Sequence, residues 1–183
     1  MALEATWRTL KHRYQAEGLD LDPNLLAVAR QRYPEVRFHQ ADMVDFNLGR
    51  SFDAVVCLFS AIGYVVTLKR LRAAIAAMAR HLSPGGVLLV EPWLTREGYT
   101  RGTVHALYVD QPELKLARIN VSTVQGRVSV LDFEYLVGTP TGVEHVTEHH
   151  ELGLFTHEEY CQAAVAAGLE STFDRQGLIG LGC

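Results

Sequence analysis

The chain has 183 residues, the length of a single domain with a small insertion. Hydrophobic residues make up 48% of the sequence and charged residues 21%, a balance typical of a folded globular protein rather than a disordered or coiled-coil chain. Seventeen basic and twenty-one acidic residues leave a net charge of -4 without any basic run, so neither nucleic acid nor a membrane surface is expected as a partner.

No segment has the pattern of a membrane span or a signal peptide. The most apolar stretch, residues 54–66, is interrupted by Ser60 and Gly63 and is shorter than the ~18 residues that span a bilayer. The N-terminus has charged residues at helical spacing and no apolar centre, which predicts a cytoplasmic protein. Three cysteines at unrelated spacings predict neither a disulfide framework nor a metal site.

The first half of the chain alternates between helical and strand patterns. The predicted elements are a helix over residues 2–14, a strand over 16–21, a helix from Pro23 to Tyr33, a strand over 36–40, a strand over 52–59, a helix over 68–82 that ends at the SPGG run 83–86, and a strand over 87–90. The nearly continuous apolar run 52–59 is expected to be a central strand covered on both faces. This order predicts an α/β fold with a doubly wound, mostly parallel sheet that binds ligands at the carboxyl ends of its strands.

The period of the sequence changes to two between residues 96 and 154. This alternation predicts an antiparallel β insertion over one edge of the sheet, within a single domain that spans residues 1–183, and such insertions often contact substrate. Thr156 and Glu159 have the spacing of a capping box, which opens a helix that ends at Ala167 and Gly168. A short run over residues 169–173 then leads to a glycine-rich tail.

Two acids follow the first two predicted strands. Asp20 ends the first strand, where a carboxylate can accept hydrogen bonds from both hydroxyls of a ribose, although a capping acid is an equally ordinary interpretation. Asp42, followed by Met43, stands after the second strand and suits an exocyclic amino group such as that of adenine. Together the two acids outline a nucleoside pocket.

Small and aromatic residues follow the next two strands at the same edge. Leu58, Phe59 and Ser60 lead towards Gly63, a pattern that lets backbone groups and a hydroxyl approach a ligand and that also suits a tight strand-to-helix turn. Trp93 follows the strand 87–90, where an aromatic residue serves either packing or substrate recognition.

Histidine and glutamate alternate near the end of the insertion, over residues 144–151. Alternate residues of a strand face opposite sides, so Glu148 and His150 are expected on one face and His149 and Glu151 on the other. Because no three of these side chains clearly converge, no metal site is predicted.

Several of these segments, in this order and spacing, resemble the class I S-adenosylmethionine-dependent methyltransferases, which have a Rossmann-like fold. The segments are residues 17–23 (EGLDLDP), 38–43 (FHQADM), 52–56 (FDAVV), 59–63 (FSAIG), 84–86 (PGG) and 90–93 (VEPW). Residues 148–150 (EHH), 154–160 (LFTHEEY) and 167–169 (AGL) resemble the branch that dimethylates the amino group of nucleotide-linked aminosugars.

The resemblance implies that S-adenosylmethionine is the cofactor. Asp20 would then bind the ribose hydroxyls, Asp42 and the Met43 backbone would bind the adenine, and Leu21 would pack on the base. Residues 58–60 would lie beside the methionine part of the cofactor.

The resemblance also implies a substrate site. Aminosugar members often have a histidine where this chain has Tyr64, so water, Tyr64 or His150 would accept the proton of the amine. Trp93 and Glu148, with Tyr64, His150 and the insertion, would hold the substrate.

The chain departs from the family at both ends. Its first residues correspond to the helix that follows the family's first strand and glycine-rich loop, which predicts an N-terminally truncated sheet. At the other end, Leu181 stands where the family has an arginine. A sheet without that strand exposes unpaired backbone groups, so we expect either that the sequence is a fragment or that a partner chain, as in a homo-oligomer such as a dimer, completes the sheet.

These interpretations predict methyl transfer from S-adenosylmethionine to the amino nitrogen of a small molecule, first of all a nucleotide-linked aminosugar. Tyr64 and Leu181 leave open a methyltransferase for another small acceptor. The truncation leaves open an inactive remnant that acts through oligomerisation. A nicotinamide dehydrogenase is less favoured, because its glycine fingerprint is absent.

Overall fold

The structure is a computed structural model that describes residues 14–173 and 179–182. Nearly all of the predicted helix over residues 2–14 lies outside the described residues. The strands are β1 (Glu17–Asp20), β2 (Arg37–Gln40), β3 (Phe52–Cys57), β4 (Leu82–Val90), β5 (Val104–Gln111), β6 (Leu114–Gln125), β7 (Val128–Thr139), β8 (Gly142–Gly153), β9 (Glu170–Phe173) and β10 (Ile179–Gly182). The helices are α1 (Pro23–Arg32), α2 (Leu68–Ala79), α3 (His157–Ala166) and a 3₁₀ helix, η1 (Ala61–Val65).

Strands β1 and β2 form a parallel pair joined by helix α1. Glu17 pairs with Arg37 and Asp20 with Gln40, so both strands end at one edge. The Asp22 carboxylate accepts the N–H of Asn24 at 2.7 Å, which caps α1 in front of Pro23. The predicted start and cap of this helix are confirmed, and the helix ends at Arg32, one residue before the predicted end.

A second sheet has the order β3-β4-β10-β9, in which β3 and β4 are parallel and β10 is antiparallel to both of its neighbours. The prediction that β3 is central is wrong among the described residues, because its only paired neighbour there is β4. Val56 is 47% exposed for the same reason, since an apolar run is buried only where another element covers it. The glycine-rich tail contributes β10, a strand that the sequence analysis did not assign.

The SPGG run 83–86 lies inside strand β4 rather than between a helix and a strand. Helix α2 ends at Ala79, so Leu82 belongs to β4 and not to the helix as predicted. The pairing of β3 with β4 is irregular between Phe52 and Ala54, and Gly85 adopts a φ of +76° beside this irregularity. Glycine accepts that left-handed conformation without strain, which lets the strand continue through the run.

Strands β5 to β8 form an antiparallel meander. Each pair is joined by a two-residue connection, and Gly126 has a φ of +62° in the one between β6 and β7. The predicted antiparallel character of this region is confirmed, and the parallel pairs joined by helices agree with the predicted α/β class. After the meander, Thr156 and Glu159 form the predicted capping box of α3.

The core lies between strands β3 and β4 and helices α2 and α3. Its fully buried side chains include Leu71 and Ile75 of α2, Leu88 and Val90 of β4, and Tyr160 of α3. Leu19 and Met43, from the β1–β2 half, also pack against this cluster. One apolar core therefore fixes both parallel pairs relative to each other.

Helix η1, which belongs to the α/β part, packs against strand β8 of the meander. A Cβ atom on Gly63 would lie 2.9 Å from Leu152 Cδ2 and 3.1 Å from Trp93 Cβ, so only glycine allows η1 to lie so close to β8. Val66, which follows η1, has a φ of 59°, an unusual conformation for a β-branched residue. The tight packing of η1 holds this strained segment in place.

We predict that Gly63→Ala lowers the free energy of unfolding by about 1–3 kcal/mol, because the added methyl group overpacks the contact with Leu152 and Trp93. Urea denaturation measures this loss. Gly138→Ala is the matched control, since a Cβ there meets its first neighbour, Lys115 Cβ, at an ordinary 3.6 Å. Equal stability of the two variants would contradict the packing argument.

Candidate functional site

Asp20 and Asp42 lie at the carboxyl edge of the β1–β2 pair. The N–H of Ala41 donates to the carbonyl oxygen of Asp20 at 3.1 Å, which holds the ends of the two strands together. Asp20 is half-buried, and its Oδ1 accepts the N–H of Asp22 at 2.9 Å. No hydrogen bond to its Oδ2 is found among the described residues. Leu21 beside it is 63% exposed, so an apolar surface adjoins the carboxylate.

Asp42 is more heavily engaged than Asp20. Its Oδ2 accepts a hydrogen bond from Arg70 of α2 at 2.8 Å, and its Oδ1 accepts the N–H of Val44 at 3.1 Å. The Arg70 hydrogen bond, followed by that of Val44, lowers the pKa of Asp42 against the opposing effect of burial. A carboxylate has further acceptor positions, so the predicted contact with an amino group requires Asp42 to bind three donors.

The segment after β3 is strained and fixed by hydrogen bonds. Phe59 and Ser60 have φ angles of 55° and 59°. The N–H of Phe59 donates to Glu91 Oε2 at 2.6 Å, and the Ser60 hydroxyl donates to the carbonyl oxygen of Pro92 at 3.1 Å. Leu58 accepts the N–H of Ala61 and so belongs to the same turn. The segment therefore lies at the carboxyl ends of β3 and β4, and strained backbone of this kind clusters at functional sites.

Tyr64, His150 and Glu148 lie together where η1 meets β8. The Tyr64 hydroxyl lies 2.8 Å from His150 Nδ1, and His150 Nε2 lies 3.3 Å from Glu148 Oε2. The Tyr135 hydroxyl donates to the same Glu148 oxygen at 2.8 Å. The structure thus brings together three of the four residues predicted to serve the substrate and adds Tyr135 to them.

The ionisation of this group is set by its neighbours. The hydrogen bond from Tyr135, and then the hydrogen bond and charge of His150, lower the pKa of Glu148 against the cost of burial. Burial, and secondarily the charge of Glu148, raises the pKa of Tyr64. Burial, and secondarily the hydrogen bond to Glu148, raises the pKa of Tyr135. At neutral pH Glu148 is therefore a carboxylate, and Tyr64 and Tyr135 are neutral phenols.

Arg118 and Phe133 complete the surroundings of His150. The Phe133 ring meets the imidazole edge to face at 5.3 Å, and the Arg118 guanidinium lies 5.0 Å from the centre of the same Phe133 ring. Arg118 Nε is buried without a hydrogen-bond partner among the described residues. Its positive charge also lowers the pKa of Glu148.

Trp93 is held by the meander. Its indole N–H donates to the Ser129 hydroxyl at 2.8 Å, and that hydroxyl donates to the carbonyl oxygen of Leu152 at 3.1 Å. The Trp93 ring also lies 6.4 Å from the ring of Tyr99. These hydrogen bonds fix the position of the Trp93 side chain. Its contact with substrate stays a prediction.

The other face of β8 carries a separate set of ion pairs. His149 Nδ1 lies 2.6 Å from Asp132, and His149 Nε2 lies 3.5 Å from Glu151. The predicted division of these residues between two faces of the strand is confirmed. Within the described part of the chain, no three His, Cys, Asp or Glu side chains are placed to hold a metal ion.

Sequence reasoning missed Glu91, Arg70, Arg118 and Tyr135. Glu91 directly follows β4. Like Asp20, it could therefore have been identified as an acid at the carboxyl edge of a strand. Arg118 pairs with Tyr135 in the register of β6 and β7, and a two-residue turn at 126–127 would have predicted this pairing. Nothing in the sequence indicated that Arg70 would reach Asp42.

No described helix is long and apolar enough to cross a membrane.

Comparison with known proteins gives consistent results. Residues 3–86 match a family model described as a methyltransferase domain. A dTDP-3-amino-3,6-dideoxy-alpha-D-glucopyranose N,N-dimethyltransferase of Streptomyces fradiae is 41% identical, over 91% of this chain and 66% of that protein. A dTDP-3-amino-3,4,6-trideoxy-alpha-D-glucopyranose N,N-dimethyltransferase of Streptomyces venezuelae is 41% identical, over 90% of this chain and 70% of that protein. The chain thus spans about two thirds of the length of these relatives.

A solved structure extends the similarity to the fold. The structure of SAM-bound CalS10, an amino pentose methyltransferase from Micromonospora echinaspora, is 42% identical and superposes with a TM-score of 0.88. The match covers 98% of this chain and 78% of that chain. At this identity the similarity includes the sequence as well as the arrangement of the strands.

We predict that Asp20→Ala weakens binding of S-adenosylmethionine by ~1.5–3 kcal/mol, because the variant loses charge-assisted hydrogen bonds to the ribose. Isothermal titration calorimetry measures the affinity, and thermal unfolding checks that the variant is folded. Asp53→Ala, at an exposed acid near the amino end of β3, is the matched control and should bind as the wild type does. Unchanged affinity of Asp20→Ala would refute the ribose assignment.

Proposed function

The chain belongs to the family of S-adenosylmethionine-dependent methyltransferases that includes the dTDP-aminosugar N,N-dimethyltransferases, and we propose that it methylates the amino nitrogen of a nucleotide-linked aminosugar. The observation that carries this proposal is the position of η1. It follows the strained segment at the carboxyl end of β3 and places Tyr64 against His150 of the meander. A proton-accepting group therefore adjoins the edge where the family binds its cofactor.

The described residues fit S-adenosylmethionine. Asp20 offers a free carboxylate oxygen for ribose hydroxyls, with exposed Leu21 beside it for the base. Asp42 and Met43 are proposed for the adenine, and the residues Leu58, Phe59 and Ser60 are proposed to border the methionine part. When bound, the cofactor supplies an electrophilic methyl group on a sulfonium ion.

The residues of the chain contribute mainly position. In-line attack by an amine on a sulfonium methyl group needs the two reactants at contact distance and in line, and such orientation supplies up to ~7–11 kcal/mol in favourable systems. Trp93 and the meander, proposed as the substrate insertion 96–154, would hold the sugar against η1. The attacking nitrogen also needs a free electron pair, so Tyr64 and His150 are proposed to take its proton, with Glu148 at the same site.

We predict that the chain, given S-adenosylmethionine and dTDP-3-amino-3,6-dideoxyglucose, adds one and then two methyl groups to the amine. Mass spectrometry of the sugar nucleotide follows the two additions. The same sugar nucleotide with a hydroxyl group in place of the amine is the control and should stay unmodified. Methylation of a phenol but of no aminosugar would favour a different small acceptor and contradict the proposal.

Self-association is the second part of the proposal. The outer edge of β3 has no strand partner among the described residues, and Val56 of β3 is exposed, as is Val87 of the neighbouring β4. Unpaired strand edges with apolar side chains readily pair with another chain. A homo-oligomer, in the simplest case a dimer, would cover this edge. The cytoplasmic location expected from the sequence stays a prediction.

We predict that size-exclusion chromatography with light scattering gives the mass of a dimer for the wild-type chain. Val56→Lys should shift the mass towards the monomer, because a charge on a strand edge opposes pairing. Val165→Lys, at a position of α3 that is 66% exposed, is the matched control and should remain dimeric. A wild-type monomer at all concentrations would contradict self-association.

A further inference from the structure

The hydrogen bonds around His150 assign its neutral tautomer. Glu148 is an ionised acceptor that also receives the Tyr135 hydroxyl, so the imidazole nitrogen facing it, Nε2, must carry the proton. The other nitrogen, Nδ1, is then an acceptor, and the hydroxyl of Tyr64 at 2.8 Å donates to it. The donor and the acceptor of each hydrogen bond in this series are therefore defined.

This direction leaves the Tyr64 oxygen with free electron pairs. The hydroxyl proton of Tyr64 points to His150, while half of the Tyr64 side chain is exposed to solvent. The raised pKa of Tyr64 keeps it a neutral phenol, so it passes a proton on rather than storing one as a phenolate. The base that finally holds the proton must then be His150.

Resting on the proposed function, we propose that Tyr64, His150 and Glu148 form a proton relay for the substrate amine. The protonated amine gives its proton to the Tyr64 oxygen while the Tyr64 hydroxyl proton moves to His150 Nδ1. The freed electron pair of the nitrogen forms the new N–C bond to the methyl group, and the S–C bond breaks with its electron pair remaining on sulfur. The imidazolium later releases its proton to water.

Glu148 and Tyr135 are positioning residues in this relay. The Glu148 carboxylate fixes the tautomer of His150 and stabilises the imidazolium, and the 3.3 Å contact is expected to shorten when His150 is charged. Tyr135 aims Glu148 by donating to the same oxygen. The titratable and charged groups that face His150 are Tyr64 of η1, Glu148 of β8, Tyr135 of β7 and Arg118 of β6.

The relay predicts the kinetics of three variants. Tyr64→Phe and His150→Gln should lower kcat by about 100-fold or more with little change in KM, the usual size of an acid–base contribution. Glu148→Gln should lower kcat less, because its side-chain oxygen still accepts from His150 Nε2 while the negative charge beside the imidazolium is lost. Glu158→Gln, at an exposed position of α3 outside the relay and the meander, is the matched control and should keep the kcat of the wild type.

The tautomer gives a readout that needs no turnover. Nitrogen-15 NMR of the histidines in the cofactor-free protein, with His150→Gln to identify the signal, should show His150 protonated at Nε2. Glu148→Ala should give a mixture of tautomers, whereas Glu148→Gln should keep the Nε2 form because its carbonyl oxygen still accepts. Protonation at Nδ1 in the wild type, or a Tyr64→Phe variant with unchanged kcat, would overturn the relay. Failure of the wild type to methylate any aminosugar would instead overturn the proposed function, and the relay's role in catalysis with it.

Discussion

The close packing of η1 against β8 is the contact on which the rest of the site depends. It requires the absence of a side chain at Gly63, because Leu152 and Trp93 occupy the space that a Cβ would need. The contact joins the parallel strands, which carry Asp20 and the strained segment after β3, to the meander, which carries His150. Without it the two halves of the site would belong to separate surfaces.

Charge is distributed differently on the parallel strands and on the meander that η1 contacts. On the side of the parallel strands, Arg70 neutralises Asp42, while one oxygen of Asp20 is left for a ligand. On the side of the meander, Glu148 remains ionised between Tyr135 and His150. The first arrangement suits the neutral hydroxyl groups of a nucleoside, and the second suits the transient positive charge of an imidazolium.

Local patterns in the sequence predicted the local structure well. Asp22 and Pro23 placed the start of α1, Thr156 and Glu159 placed that of α3, and strict alternation predicted the meander, since each of these depends on neighbours a few residues away. The prediction failed where burial depends on residues that are distant in the sequence, as it does for the edge strand β3. Tyr64 and His150 were singled out through a resemblance, but their contact arises from the packing of η1, which no pattern encodes. Tyr135 could have been found from strand register, whereas the reach of Arg70 to Asp42 could not.

The most direct test of this account is a crystal structure of the chain with S-adenosylhomocysteine and an aminosugar nucleotide. The account predicts that the amino nitrogen lies within about 2.6–3.2 Å of the Tyr64 oxygen, the range over which a proton is transferred. His150 should remain bonded to Tyr64 through Nδ1 and to Glu148 through Nε2. An amine that contacts His150 directly with Tyr64 turned away, or a sugar bound on the opposite face of the meander, would contradict it.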